Sequence, residues 1–165
     1  MPSPKEQTEE LAATNYGGAI YGTIISMAVI SASSKDPELG PVAVAGWAVG
    51  TAFVFLIAHV YSTIVAAGFV RPIKATDLIR EEIRSEWPMV QGALVPAAVM
   101  LLAPLGLVAD DQVSYVAVWT GVAMLFSTGL VIGRKHSLGW TRALVIGSVN
   151  AAIGLVIVAL KVFVH

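Results

Sequence analysis

Five long apolar runs, none with an Asp, Glu, Lys or Arg well inside it, leave this 165-residue chain few ways to fold. They fall at about Tyr16–Ser33, Val42–Val70, Gly92–Ala109, Val113–Gly133 and Ala143–Val164. Each is near the ~20 residues that an α-helix needs to cross the hydrocarbon core of a bilayer. Lys161 is the one marginal charge, close enough to the chain end to snorkel to the interface. Helices satisfy their own backbone groups in lipid, whereas a β-barrel would need alternating strands of about ten residues. The expected fold is therefore an all-α integral membrane protein with five transmembrane helices.

Composition agrees. The chain is 56% hydrophobic and 13% charged, with a mean hydropathy of +0.78. Soluble domains carry about a quarter charged residues. Ten basic against eleven acidic residues leave no basic stripe for nucleic acid. The absence of cysteine excludes disulfides, thiolate metal sites, iron–sulfur clusters and cysteine nucleophiles. No cofactor is expected.

The basic residues set an orientation. Lys5, Arg71, Lys74, Arg80, Arg84, Arg134, Lys135 and Arg142 fall on one side of a five-span layout, and Lys35 and Lys161 on the other. The positive-inside rule places the N-terminus in the cytoplasm and the C-terminus outside. Trp87 and Trp140 then sit at inner helix ends and Trp47 near an outer one, as interfacial aromatics should. The expected location is a cell membrane, which in a bacterium is the inner membrane. Residues 1–15 read as a cytoplasmic tail, acidic through Glu6, Glu9 and Glu10 and unlike a signal peptide. Residues 16–165 form the membrane domain, with a cytoplasmic amphipathic segment at 71–90.

Two spans are irregular. The second has 29 residues and would rise roughly 43 Å against a core of ~30 Å, so it should project beyond the membrane at its Gly68–Val70 end. The third holds Pro96 and Pro104 and should bend, which is tolerated where neighbours satisfy the freed carbonyls.

Few residues can carry chemistry. His59 is the ionisable side chain deep in an apolar run, able to relay a proton or bind a metal, or to bond a hydroxyl of Ser62 or Thr63. Tyr21, Tyr61 and Asn150 are the further polar candidates within spans. In the cytoplasmic segment Asp77 and Glu81, and Glu82 and Glu86, are spaced four apart as carboxylate pairs. Arg80 and Arg84 lie between them and favour ion pairs along a surface helix. Small residues recur at four-residue spacing as Gly18 and Gly22, Gly46 and Gly50, Gly129 and Gly133, and Gly147 and Ala151. Such pairs let helices approach closely, either within the chain or at a dimer seam. Met27, Met100 and Met124 read as packing. No Ser–His–Asp set, phosphate loop or zinc motif is present, so no enzyme is expected.

One family has a similar layout. Gly129-Leu130-Val131-Ile132-Gly133-Arg134, followed by Ser137-Leu138-Gly139-Trp140-Thr141-Arg142-Ala143 and Gly147, resembles the passage from the fourth to the fifth span of vacuolar iron transporters. The proline-bearing third span after Trp87-Pro88 is similar too. The resemblance implies five spans, a cytoplasmic insert after a long second helix, and divalent-cation transport, with an ion path at a dimer axis. Two positions depart from the family. Tyr21 stands where it has an aspartate, and His59 where it has a glutamate. Divalent-cation or small-solute transport is one expectation. The other is a non-transporting accessory or structural subunit, acting as a homodimer or in a larger membrane complex.

Overall fold

The computed structural model describes residues 4–33, 36, 38–68, 75–135 and 139–163, with side chains from residue 16 onward save those of 67, 75, 77 and 161. Five helices follow in order: α1 (Pro4–Ser33), α2 (Pro41–Gly68), α3 (Ala75–Met100), α4 (Asp110–Lys135) and α5 (Gly139–Phe163). Four contain stretches long and apolar enough to cross a membrane: Tyr16–Ser33, Pro41–Ala66, Asp110–Lys135 and Gly139–Leu160. The surface is apolar where a soluble protein's would be polar. Along α5, Leu144, Val145, Val149, Ile153, Val156 and Leu160 are all exposed. An apolar face of that extent needs lipid or protein against it. The chain is built as a helical membrane protein.

The third helix differs from the expected third span. Hydropathy places the span over Gly92–Ala109, but α3 begins at Ala75, runs unbroken through Trp87 and Pro88, and ends at Met100. The amphipathic segment from Ala75 and the apolar residues to Met100 thus form one continuous helix. Pro104 explains the early stop. It has no N–H for the Met100 carbonyl, and it disfavours helical backbone at Ala103. The chain tightens into three-residue turns instead, with Leu101 N–H donating to Ala98 O at 3.1 Å and Leu102 N–H to Val99 O at 3.0 Å. It closes on Gly106, whose φ of +72° suits glycine. Gly106 N–H donates to Ala103 O (2.8 Å) and Leu107 N–H to Leu102 O (3.0 Å), the two bonds of a Schellman cap.

α1 is the centre of the bundle. Its Met27 is fully buried and packs against α4 and α5 where Gly121 and Gly154 leave room. Ile30, Val44, Ala48, Ala97, Met100, Val113 and Leu125 complete the main core. The closest approach is between α1 and α3. A Cβ on Gly22 would strike the Met89 carbonyl oxygen, and one on Gly92 the Ala19 carbonyl oxygen. Backbone therefore lies against backbone, and Ser26 and Thr23 on α1 reach the Ala93 and Gly92 carbonyls at 3.0 and 3.2 Å. Pro96 leaves the Gly92 carbonyl without its helical donor, so Thr23 satisfies the acceptor that the proline frees.

At one end of the bundle aromatic and basic side chains meet. The Arg134 guanidinium lies 4.3 Å from the Trp140 ring centre and the Lys135 ammonium 5.2 Å from that of Tyr16. α4 has Asp110 and Asp111 in its first turn and Arg134 and Lys135 in its last, which suits the helix dipole at both ends. The opposite end gathers Asp36, Asp110 and Asp111 around a hollow of about 300 Å³.

Candidate polar cleft between the first three helices

The level of the polar cleft is set by helix registry. α1 and α3 run side by side in the same direction, with Gly18 beside Met89 and Ala19 beside Gly92. α2 descends across them, buried through Ala48, Ala52, Leu56 and Val60 at four-residue steps. His59 precedes the last of these and reaches α3 one turn below the α1–α3 crossing. Its Nε2 lies 3.3 Å from Oε1 of Glu86.

The pair occupies a cleft of about 480 Å³ lined by Gly17, Gly18, Tyr21, His59, Glu86 and Met89. Glu86 is 14% exposed and His59 54% exposed, so the carboxylate is the sheltered partner and the imidazole the accessible one. On the α1 wall of the cleft Gly17 and Gly18 present no side chain, which leaves Tyr21 as that helix's polar group. Tyr21 is held edge-on by Phe55 at 5.9 Å and 82°. Phe53, on another side of α2, meets Trp87 in a similar way at 6.3 Å. Aromatic contacts of this kind fix ring orientation as well as adding burial.

Chemically the cleft offers one nitrogen donor, one carboxylate and a phenol. Imidazole suits borderline metals such as iron and zinc, and carboxylate suits harder ones such as manganese. Among the described residues no group of three or more His, Asp or Glu is placed to hold a metal ion together. A divalent cation would hold two protein ligands here and keep water on its remaining positions.

The other sequence candidates scatter. Tyr61 is 68% exposed on the outward face of α2. Asn150 is half-buried at the α4–α5 crossing, its Nδ2 2.9 Å from where a Cβ on Gly129 would stand. Glu81 is exposed and Glu82 half-buried, while the Asp77 side chain lies outside the described residues. Gly18 and Gly22 serve the α1–α3 crossing, and Gly129 and Gly133 the α4–α5 crossing against Gly147 and Ala143. Gly46 and Gly50 are exposed and would meet nothing within 4 Å.

The partner of His59 was the residue that sequence reasoning missed. The sequence pairs His59 with the hydroxyls of Ser62 or Thr63 and places Glu86 on a separate surface helix. The signal lay in the period of α3. Counting back from buried Met89, Ala93 and Ala97 in steps of three and four brings Glu86 and Glu82 to the inward face, with Arg80 and Arg84 outward. Comparison with known proteins finds no matching family model, no similar curated protein and no similar solved structure.

Proposed function

We propose that this chain is a five-span membrane transporter of divalent cations or small solutes, similar in layout to the vacuolar iron transporters, with the His59–Glu86 cleft as its cytoplasmic mouth. The convergence of Tyr21, His59 and Glu86 on one cleft carries this reading. His59 lies inside an apolar run, where an ionisable group is costly and tends to mark a substrate path, and Glu86 meets it from the charged part of α3. Glu86 supplies the carboxylate that the apolar runs lack, so the reading no longer depends on hydroxyls and one imidazole alone. With two protein ligands, transport of a hard divalent ion would be slow.

Five crossings follow if the twelve residues from Met89 to Met100, with the apolar turns to Ala109, form the third. The basic end with Arg134 and Lys135 then faces the cytoplasm, and the end with Asp36, Asp110 and Asp111 faces outward. The open stripe at Gly46 and Gly50 favours a second reading, in which α2 docks on another membrane helix and the chain serves as an accessory subunit or a homodimer. Proteoliposomes loaded with a metal-sensitive dye separate the two. Uptake of Fe²⁺ or Mn²⁺ above that of protein-free vesicles supports transport, and its absence favours the accessory role.

A further inference from the structure

A second groove lies on the other side of α3, and we infer that it binds the phosphate headgroup of an anionic phospholipid. This goes beyond the transport reading and rests on the proposed five-span layout, in which α3 crosses the bilayer. The groove holds about 410 Å³ and is lined by Tyr16 and Ala19 of α1 and by Arg84, Trp87, Pro88 and Gln91 of α3. Lys135 of α4 sits over the Tyr16 ring, which brings a second cation to its edge.

The order of side chains along α3 identifies the occupant. Arg80, Arg84, Trp87, Gln91, Leu94, Val95 and Ala98 share one helical face at steps of three and four, and all are exposed. Their character changes along the helix from basic, to aromatic, to amide, to aliphatic. A phospholipid changes in the same order and over the same length: phosphate, interfacial glycerol, ester carbonyls, acyl chain. Arg84 and Lys135 meet the phosphate, since guanidinium and ammonium groups at a membrane surface attract anionic headgroups. Trp87 lies at the glycerol level, where indole rings concentrate. Gln91 is the decisive residue. An exposed amide one turn deeper than Trp87 would face hydrocarbon unpaired, and an ester carbonyl accepts its N–H. Leu94 and Val95 lie along the chains. Among the described acids of the same helix, Glu86 turns to His59 of α2 and Glu82 is half-buried, while Glu81 adjoins this face; Asp77, whose side chain lies outside the described residues, precedes Arg80 by three residues and is about two turns from Arg84.

The test uses Trp87 as its own reporter. Trp47→Phe, Trp119→Phe and Trp140→Phe leave it as the single indole, and the protein is reconstituted into vesicles of phosphatidylcholine and phosphatidylglycerol. Either lipid carries bromine on its acyl chains as a quencher. The expected result is stronger quenching by the brominated anionic lipid, corresponding to a preference of roughly fivefold or more. Arg84→Ala and Lys135→Ala should each reduce the preference and together abolish it. Arg84→Lys and Arg142→Ala should keep it, which separates lost charge from lost fold. Gln91→Leu should weaken binding of both lipids. Inorganic phosphate in the buffer should leave the preference in place, because the aliphatic end of the groove has no part in holding free phosphate. Equal quenching by the two lipids, a preference unchanged in the double alanine variant, or its loss to inorganic phosphate would each overturn the assignment.

Discussion

The Thr23 hydroxyl of α1 lies 3.2 Å from the Gly92 carbonyl of α3, which is the acceptor that Pro96 leaves without its helical donor. The same hydroxyl is 2.8 Å from Ala19 O within its own helix and 3.6 Å from the Met124 sulfur, so its single proton has three acceptors in reach. Ser26 serves the neighbouring carbonyl of Ala93 at 3.0 Å. A proline in one helix is thus matched by hydroxyls in another, and glycines bring the two backbones close enough for the match.

A mutant cycle isolates that relationship. Thr23→Val should cost about 1 kcal/mol in the parent, the usual worth of such a bond. In a Pro96→Ala background, Gly92 regains its own donor and the cost should shrink. Reversible unfolding in mixed micelles gives all four corners. Equal costs in both backgrounds would show that Thr23 acts on its own helix alone.

The glycines divide sharply. Gly22→Ala and Gly92→Ala press a methyl into a carbonyl oxygen and should destabilise the protomer by on the order of 2 kcal/mol. Gly46→Ala and Gly50→Ala should leave the protomer no less stable, with a gain of up to about 1 kcal/mol, since nothing lies within 4 Å and alanine favours helix. If α2 is a seam between subunits, Gly46→Leu should lower oligomer mass in detergent without preventing insertion. Unchanged mass would remove that stripe from any seam.

The absence of cysteine makes topology easy to map. Asp36→Cys and Leu105→Cys should react with an impermeant maleimide from one side of the membrane, and Glu81→Cys and Lys135→Cys from the other. Labelling of Leu105→Cys and Glu81→Cys from the same side would mean that α3 does not cross. A reporter after His165 should be exported.

Much of this architecture was legible in the sequence because burial in lipid demands long uncharged runs, and four such runs are helices here. The third was misplaced for a definable reason. Hydropathy follows apolar residues from Gly92 to Ala109, whereas helix geometry follows hydrogen bonds, which Pro104 denies at Met100. That shift hid the link between the charged segment and the membrane. Glu86 was visible as a carboxylate, but its inward direction depended on the helix running unbroken through Trp87 and Pro88. The roles of Gly18, Gly22, Gly129 and Gly133 as packing within the chain needed knowledge of which helices touch, which spacing alone does not supply.

Flux through the His59–Glu86 cleft is the most direct test of the functional account. In dye-loaded proteoliposomes with matched protein content, the parent should show Mn²⁺ or Fe²⁺ uptake above empty vesicles. Glu86→Gln and His59→Ala should each cut the initial rate by roughly tenfold, the scale for losing one ligand or orienting partner of a metal. Tyr21→Phe should reduce it less, and Glu81→Gln, on the exposed side of the same helix, should not change it. Rapid uptake that survives both Glu86→Gln and His59→Ala would contradict a path through this cleft.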